Sequence, residues 1–378
     1  MIAVNEPLFE GRESEYLAAC LQSRWISSSG SFIEKFEEEW SRYCGRKHGV
    51  SVCNGTAALE AAVAALDLQN GDEVIMPTFT IISCAAAIIR GGGTPLLVDA
   101  DPRTWTMDIA EVGNKIGPRT KAIMVVHIYG HPVDIDPIVA LAERHGLAII
   151  EDAAEAHGAE YLSGRRTGNP QWKRCGSFGT TSCFSFYANK VITTGEGGMV
   201  LTDDESLAER LRSLRNLCFK PSRRFAHDEL GFNFRFTNLQ AAIGLAQCER
   251  IEQIVAKKRW MGQQYAKRLE GIAALQLPTE ESWARSVYWM YGVVVHDEAD
   301  MDAKTLAAKL LDRGIETRPF FLGMHEQPVF KRRGFFKGER YPVSERLARQ
   351  GLYLPSGAAL TEEQLTYVTD EVRSVLCQ

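Results

Sequence analysis

The sequence lacks the patterns that mark several classes of protein. Its 43 basic residues are balanced by 48 acidic ones, and no dense block of Lys and Arg is present, so we expect no surface for nucleic acid or an anionic membrane. No apolar run is long enough to span a membrane, and the first residues show no basic segment followed by an apolar one. These absences predict a cytoplasmic protein.

Motifs for metals and for common nucleotides are also missing. The nine cysteines include no CxxC pair, so we expect reduced, buried thiols and no structural zinc site. His127 and His131 are four residues apart, but their surroundings favour a loop and no HExxH motif is present, so we expect no bound metal. The glycines at 91–93 and 195–198 match neither GxGxxG nor a P-loop, and a nicotinamide or NTP site has no support.

What the sequence does contain is a regular alternation of strand and helix patterns. With 378 residues, 45% of them hydrophobic, the chain is long enough for one large and one small domain. Short apolar runs alternate with helical patterns from about residue 49 to 200, which predicts an α/β fold with a mostly parallel sheet. The strands that we predict there are residues 49–53, 73–76, 94–98, 122–127 and 147–151.

The second half of the chain follows a different pattern. Residues 182–186 and 199–202 are predicted to form a hairpin that closes the sheet, and 238–269 to form one long helix that leaves the large domain. The remaining residues mix strand and helix patterns, as in a compact α+β domain. We therefore predict a large domain over residues 1–250, which includes an N-terminal segment, and a smaller C-terminal domain over 251–378.

Lys190 is the strongest candidate for a catalytic residue. It lies between an aromatic, partly buried strand and a glycine-rich turn, where burial would lower the pKa of the amine and leave it nucleophilic. Asp152 ends an apolar run 38 residues earlier, at the strand end where α/β sheets bind ligands. A lysine for a Schiff base and a carboxylate for a pyridinium nitrogen are what pyridoxal 5'-phosphate requires. Taken singly, each could be a solvated surface residue.

Other residues near these two could contact the same cofactor. Thr56, in the stretch that follows the strand at 49–53, opens a helix whose N-terminus could bind phosphate, although an ordinary capped helix would look the same. Ser185 could add a second phosphate contact, or be a simple strand hydroxyl. His157 follows Asp152 closely and could contact the ligand, but a buried core histidine explains it equally well.

As a set, these motifs resemble the fold-type-I, pyridoxal-phosphate-dependent sugar aminotransferases of the DegT/StrS type. The resemblance runs almost from end to end and is specific as a set. The segments that carry it are residues 25–28, 36–37, 54–59, 71–74, 151–154, 185–190, 194–198 and 231–235.

The resemblance implies a role for each matching position. Lys190 would form the Schiff base and shuttle protons, Asp152 would pair with the pyridinium nitrogen, and Asn233 would reach the phosphate in the partner subunit of a homodimer with shared active sites. Ile81 stands where relatives carry an aromatic residue over the cofactor ring, so the stacking contribution would be absent there. The expected cofactor-binding residues are Gly55, Thr56, Ala57, Ile81, Asp152, Glu155, Ser185, Lys190 and Asn233.

Within the family the chain is most similar to the group that forms GDP-perosamine for O-antigen lipopolysaccharide. This implies a nucleotide-linked 4-keto-6-deoxy sugar as acceptor and L-glutamate as amino donor. Arg318 and either Arg223 or Arg224 are candidates for the diphosphate. The segment at 216–229 differs from that group's pattern, so dTDP or UDP substrates and 3-amino products stay open. The expected substrate-binding residues are Trp25, Ser27, His157, Arg318, Phe320 and His325.

Two other functions remain as alternatives. Related sugar 3-dehydratases share this scaffold but carry histidine at the Schiff-base position, and Lys190 argues against that activity. A non-catalytic regulator that has kept the fold would be expected to lose Lys190 or Asp152, and both are present. The sequence therefore favours an aminotransferase.

Overall fold

The computed structural model describes residues 1–165, 167–220, 222–223 and 225–377. The helices within them are α1 (Glu13–Ser23), α2 (Ser31–Tyr43), α3 (Gly55–Ala64), α4 (Ile82–Arg90), α5 (Ile109–Lys115), α6 (Ile135–His145), α7 (Glu205–Arg215), α8 (Asn238–Cys248), α9 (Ile251–Leu269), α10 (Ala303–Asp312), α11 (Pro328–Arg332), α12 (Pro342–Gln350) and α13 (Glu362–Leu376). Short 3-10 turns lie at Ile128–Gly130 and Met324–Glu326. Within these described ranges, no helix is both long and apolar enough to cross a membrane.

The strands of the same residues are β1 (His48–Val52), β2 (Glu73–Pro77), β3 (Thr94–Val98), β4 (Thr120–Val126), β5 (Ala148–Asp152), β6 (Glu160–Ser163), β7 (Gln171–Arg174), β8 (Thr181–Ser185), β9 (Gly198–Thr202), β10 (Leu275–Gln276), β11 (Ala284–Arg285), β12 (Tyr291–Val295), β13 (Arg318–Pro319) and β14 (Gly351–Leu354). The five strands predicted between residues 49 and 151 are thereby confirmed as β1 to β5.

A seven-stranded sheet in the order β1-β9-β8-β5-β4-β2-β3 forms the centre of the molecule. Strands β3, β2, β4, β5 and β8 run parallel, whereas β9 pairs antiparallel with both β8 and β1. The predicted α/β fold and the pairing of β8 with β9 are confirmed. The prediction that β9 closes the sheet is wrong, because β1 pairs with its outer side and forms the edge.

The predicted single helix over 238–269 is interrupted. Helix α8 ends at Cys248 and α9 begins at Ile251. At the break the Arg250 N–H donates to the carbonyl of Gln247, three residues back, instead of four. The side chains of Glu249 and Arg250 are held by Tyr16 and Glu10 of the N-terminal segment. These tertiary contacts have no signal in the local periodicity, which continues through the break.

A second, smaller core lies in the C-terminal part. It is built from apolar residues of α9, α10 and α13 packed on a four-stranded antiparallel sheet in the order β10-β12-β14-β13. The N-terminus joins this part, since Ile2 bridges Ile315 and the Val4 N–H donates to Glu316. The smaller α+β unit that we predicted is present, while the domain boundary at residue 250 stays a prediction.

Candidate active site

A cavity of about 420 Å³ opens where strands β5 and β8 end and helices α3 and α4 begin. Carboxyl ends of parallel strands meet at one edge of a sheet, which is where such folds bind ligands. Three aromatic side chains from the C-terminal part, Trp289, Phe321 and Tyr353, complete the wall. The predicted cofactor-binding residues that line this cavity are Gly55, Thr56, Ile81, Asp152, Glu155, Ser185 and Lys190.

Lys190 lies in the connection between β8 and β9, and only 10% of its side chain is exposed. Its Nζ is 3.8 Å from Oε1 of Glu155 and 3.6 Å from the ring centroid of Trp289. Burial lowers the pKa of Lys190, and the nearby carboxylates of Glu155 and Asp152 oppose that shift. A desolvated amine of this kind is suited to nucleophilic attack on a carbonyl carbon.

Asp152 is the last residue of β5 and is buried. Its Oδ2 accepts a hydrogen bond from the Cys84 thiol at 3.1 Å, and its Oδ1 accepts one from the Ala154 N–H at 3.1 Å. Burial raises the pKa of Asp152 despite these donors. The carboxylate is therefore short of a positive partner, and a cationic N–H in the cavity would stabilise its charged form.

Glu155 is a second buried carboxyl group beside Lys190. Its Oε2 accepts a hydrogen bond from the Tyr129 N–H at 2.7 Å. Burial raises the pKa of Glu155 to about 7, and the neighbouring Lys190 lowers it only in part. Burial thus pushes both members of this pair towards their neutral forms.

The N-terminus of α3 forms one end of the cavity. The amides of Gly55 and Thr56 take the first helical positions, where a helix offers no acceptor of its own. The Asn54 side chain caps the helix by accepting from the Ala57 N–H at 2.8 Å. A Cβ at Gly55 would lie 2.6 Å from the Cβ of Ser185, so this close approach of helix and strand requires glycine.

Several predicted residues do not line the cavity. Ala57 is buried, and its N–H is already used by the helix cap. Phe320 packs at 4.7 Å from the Tyr129 ring, while its neighbour Phe321 lines the cavity instead. His325 is buried and lies between Thr78, at 2.9 Å, and Glu345, at 3.3 Å.

His157 is also buried, against aromatic side chains. Its ring lies 5.3 to 5.4 Å from those of Trp40, Phe184 and Phe186. Burial lowers the pKa of His157 to about 3, with a smaller contribution from the charge of Lys190. The imidazole is neutral and contributes packing below the site, so of the two roles left open from the sequence this placement favours the core histidine.

The remaining predicted residues lie at the surface. Arg318 is paired with Glu316. Trp25 and Ser27 are exposed, and their carbonyl groups accept from Asn238 at the start of α8. Asn233 is exposed and does not line the cavity of its own chain.

The other two arginines considered for the diphosphate were Arg223 and Arg224. Arg223 pairs with Asp228 at 2.9 Å in an exposed segment, and Arg224 lies outside the described residues. Among the described residues that line the cavity, Lys190 is the only cationic side chain.

A cluster of His127, Glu151 and Cys175 has metal-ligand chemistry, but the His127 ring and the Glu151 carboxylate are engaged in hydrogen bonds. The Val133 N–H donates to Nδ1 of His127 at 2.9 Å, so the ring proton is on Nε2, which donates to Glu151 at 2.9 Å. Glu151 accepts further hydrogen bonds from Phe178 and Ser182, among others. The cluster holds the loop before β8 against β5.

The sequence analysis missed the four aromatic residues that line the cavity in the described part of the chain, namely Tyr187, Trp289, Phe321 and Tyr353. Tyr187 was within reach, because it stands three residues before Lys190. The other three belong to the C-terminal part, where apolar patterns predict core packing rather than a site.

The residues present fit pyridoxal phosphate. One cavity is surrounded by a desolvated amine, a buried carboxylate without a positive partner, and a helix N-terminus. That helix can lie close to Ser185 because its first residue is glycine. The amine, the carboxylate and the helix N-terminus are suited to the carbonyl, the ring nitrogen and the phosphate of that cofactor, respectively.

Comparison with known proteins identifies the family. Residues 8–373 match the DegT/DnrJ/EryC1/StrS aminotransferase family. The chain is 39% identical over 371 residues to a GDP-perosamine synthase of Escherichia coli O157:H7, covering 98% of this chain and 97% of the relative. It is 42% identical over 377 residues to a GDP-perosamine synthase of Caulobacter vibrioides, covering 99% and 98%.

Solved structures agree with this assignment. The chain superposes on DesV of S. venezuelae, solved in complex with a ketimine intermediate, with a TM-score of 0.88 and 33% identity over 97% of this chain and 95% of that one. Sugar aminotransferase relatives imply a nucleotide-linked sugar and an amino donor as substrates. The chain therefore belongs to the DegT/DnrJ/EryC1/StrS aminotransferase family and is a pyridoxal-phosphate-dependent sugar aminotransferase.

Proposed function

We propose that the enzyme transfers the amino group of L-glutamate to C4 of a nucleotide-linked 4-keto-6-deoxyhexose, with GDP ahead of dTDP or UDP as the nucleotide. The observation that carries the proposal is the placement of Lys190 and Asp152 in one desolvated cavity. The choice of sugar and nucleotide rests on the two GDP-perosamine synthases, which match this chain over nearly its full length.

We assign the chemistry to three groups of the chain. Pyridoxal phosphate, when bound, supplies an electron-withdrawing ring that stabilises negative charge at the substrate carbon. We assign to Lys190 Nζ the role of accepting a proton from the substrate and returning it, since burial lowers the pKa of this amine. Asp152 would accept a hydrogen bond from the ring nitrogen of the cofactor, and the carboxyl group of Glu155 lies beside the amine.

The cavity wall is suited to a deoxy sugar. Trp289, Phe321 and Tyr353 present aromatic surface to the same cavity as Asp152 and Lys190. A hexose has apolar C–H faces and, when deoxygenated at C6, a methyl group that such a wall can cover. The wall also excludes water from the amine, which keeps its pKa low.

We further propose a homodimer in the cytoplasm, with Asn233 of each subunit completing the phosphate site of its partner. The proposal follows the family resemblance. It is supported by the exposure of Asn233 and its absence from the cavity of its own chain.

A panel of keto sugar nucleotides tests the function. Purified enzyme is incubated with L-glutamate and GDP-, dTDP- or UDP-linked 4-keto-6-deoxy sugars, and with a 3-keto sugar, and products are read by mass. The GDP 4-keto sugar should give a product about one mass unit heavier than the ketone, as oxygen is replaced by an amine with its hydrogens. Amination of only the 3-keto sugar would disprove the acceptor while leaving the amino-transfer chemistry intact.

Borohydride tests the lysine separately from the substrate. The purified protein should be yellow, and reduction should fix the cofactor on the peptide that contains Lys190. Lys190→Ala should abolish both the fixed label and the amination. Fixation on another lysine would show that Lys190 has been assigned the wrong role.

A further inference from the structure

We propose that Trp289 is a positioning residue for Lys190: the face of its indole ring holds the amine, and its ring N–H holds the main chain immediately before that lysine. The inference rests on the proposed role of Lys190. It adds a residue from the C-terminal part of the chain to the machinery of the reaction.

Trp289 contacts two consecutive residues in two different ways. The Nζ of Lys190 lies 3.6 Å from the centroid of the indole ring, within the range in which an ammonium is attracted to an aromatic face. The indole Nε1–H donates to the carbonyl oxygen of Asn189 at 2.7 Å. One side chain therefore fixes both the backbone and the reactive end of Lys190.

The tryptophan is itself held rigidly. Its N–H donates to the carbonyl of Tyr129 at 3.1 Å, and its ring lies parallel to the Tyr129 ring, at 23° and 6.4 Å. Its own carbonyl accepts from Nζ of Lys258 at 3.0 Å. Lys258 is buried and also donates to the carbonyl of Ser356. A ring anchored on both sides of its backbone can act as a fixed platform.

The same carbonyl of Asn189 has a second donor. The side-chain amide of Asn5 donates to it at 3.2 Å. The lysine loop is thereby clamped between the first residues of the chain and the segment that carries Trp289. Because the carbonyl keeps one donor when the other is removed, single substitutions can be compared without leaving it unpaired.

The platform has a distinct electrostatic effect. Other groups that act on the Lys190 amine are the carboxylates of Glu155 and Asp152 and the Cys84 thiol, and the neutral imidazole of His157 lies nearby. The carboxylates can change protonation or partner during a reaction, whereas the indole face cannot. The ring therefore offers the ammonium form of Lys190 an attractive surface at a constant position.

The test uses full-length enzyme loaded with the amino form of the cofactor, pyridoxamine phosphate, in which the Lys190 amine is free. Reductive methylation of Lys190 is followed against pH by peptide mass spectrometry in wild type, Trp289→Leu and Trp289→Phe. Trp283→Phe is the matched control, because Trp283 packs 5.5 Å from the Tyr161 ring and is not part of the cavity wall.

Loss of the aromatic face should move the methylation midpoint of Trp289→Leu to lower pH and reduce kcat by about tenfold or more, since misplaced catalytic groups commonly cost this much. Trp289→Phe keeps an aromatic ring face, so its methylation midpoint and its kcat should lie between those of Trp289→Leu and those of wild type. The control should match wild type in both measurements. Circular dichroism and cofactor content verify that each variant is folded and loaded.

The possible results distinguish a failure of the role proposed for Trp289 from a failure of the proposed function. If borohydride marks Lys190 in wild type, but Trp289→Leu keeps the wild-type midpoint and kcat, the role of Trp289 is refuted and the proposed function stands. If borohydride marks a different lysine in wild type, the proposed function fails. A Trp289→Phe variant as defective as Trp289→Leu in the midpoint would show that the ring face is not what holds the amine.

Discussion

Burial acts in opposite directions on the acidic and basic groups at the centre of the cavity. It lowers the pKa of Lys190 and raises those of Asp152 and Glu155, so each group is pushed towards its neutral form. A ring nitrogen that arrives with a proton supplies the positive charge that Asp152 lacks. Binding of a protonated ring nitrogen would therefore stabilise the charged form of Asp152.

We expect Asp152→Asn to keep the fold and lose at least about 10²-fold in kcat, since one well-placed electrostatic group is commonly worth that much. The reason is that an amide cannot keep the ring nitrogen protonated. Steady-state rates with glutamate and the keto sugar measure the loss. Asp204→Asn, which changes only the exposed cap of α7, is the matched control. Near wild-type turnover in Asp152→Asn would show that another residue has this role.

The burial of His157 leads to a prediction about the stability of the fold at acidic pH. The pKa of His157 is about 3 in the folded chain and near its ordinary value of about 6.5 when unfolded. Between these values the unfolded chain binds a proton that the folded chain does not, so wild-type stability falls as pH drops below about 6.5. A phenylalanine in the same aromatic surroundings does not titrate.

His157→Phe should therefore lose less stability than wild type between pH 7 and pH 5, by about 2 kcal/mol. Denaturant unfolding of both proteins at the two pH values measures the difference. Because the comparison is between proteins, contributions from other titrating groups cancel. Equal losses in wild type and variant would mean that the folded imidazole accepts a proton in this range.

At the scale of elements, a carboxylate at the end of one strand fixes a distant helix. Asp99, just after β3, accepts hydrogen bonds from the Val343 and Ser344 N–H groups at 3.0 and 2.9 Å and from the Ser344 hydroxyl at 2.6 Å. These amides belong to the first turn of α12, where a helix has no acceptors of its own. The contact ties the C-terminal part to the central sheet.

Asp99→Ala should lower the free energy of unfolding by about 2 to 4 kcal/mol, because buried donors lose their acceptor. Asp108→Ala is the matched control: it removes the cap of α5, which Asp108 provides to the Ala110 N–H, and should cost about 1 kcal/mol. Denaturant unfolding compares the two variants with wild type. Equal effects would show that the link to α12 adds nothing beyond an ordinary cap.

The elements that sequence patterns predicted well are those determined by their own residues. The parallel strands are buried on both faces, so each one reads as a short apolar run between turns. The break between α8 and α9 was missed because residues from the N-terminal segment stabilise it. The edge position of β1 was missed for a similar reason, since the pairing of β1 with β9 depends on contacts between distant parts of the chain.

At the scale of the whole molecule, the cavity gathers residues from Asn54 to Tyr353. The sequence motifs of the central sheet carry polar residues at the ends of strands and helices. The side-chain type of Lys190 and Asp152, together with their predicted position at such ends, indicated that they belong to the site. Trp289 and Tyr353 come from the C-terminal part and carry no such signal. Their place in the site is decided by how the second core packs against the sheet.

Some apolar side chains are strongly exposed on the surface of the single chain. Leu230 is 95% exposed and Trp25 58% exposed, and apolar side chains left in water favour burial in an interface. Asn233 is close to Leu230 in sequence and is exposed as well. These observations support a homodimer in which this segment meets the partner subunit.

A mixture of two inactive variants tests whether the sites are shared. Lys190→Ala removes the amine, and Asn233→Ala should remove the donor to the partner's phosphate. In a hybrid dimer one site then has both residues intact, so full exchange of equal amounts should recover about a quarter of wild-type activity. If Asn233 served its own subunit, no hybrid site would be intact. Hybrids detected by native mass spectrometry without any recovered activity would therefore exclude the shared site.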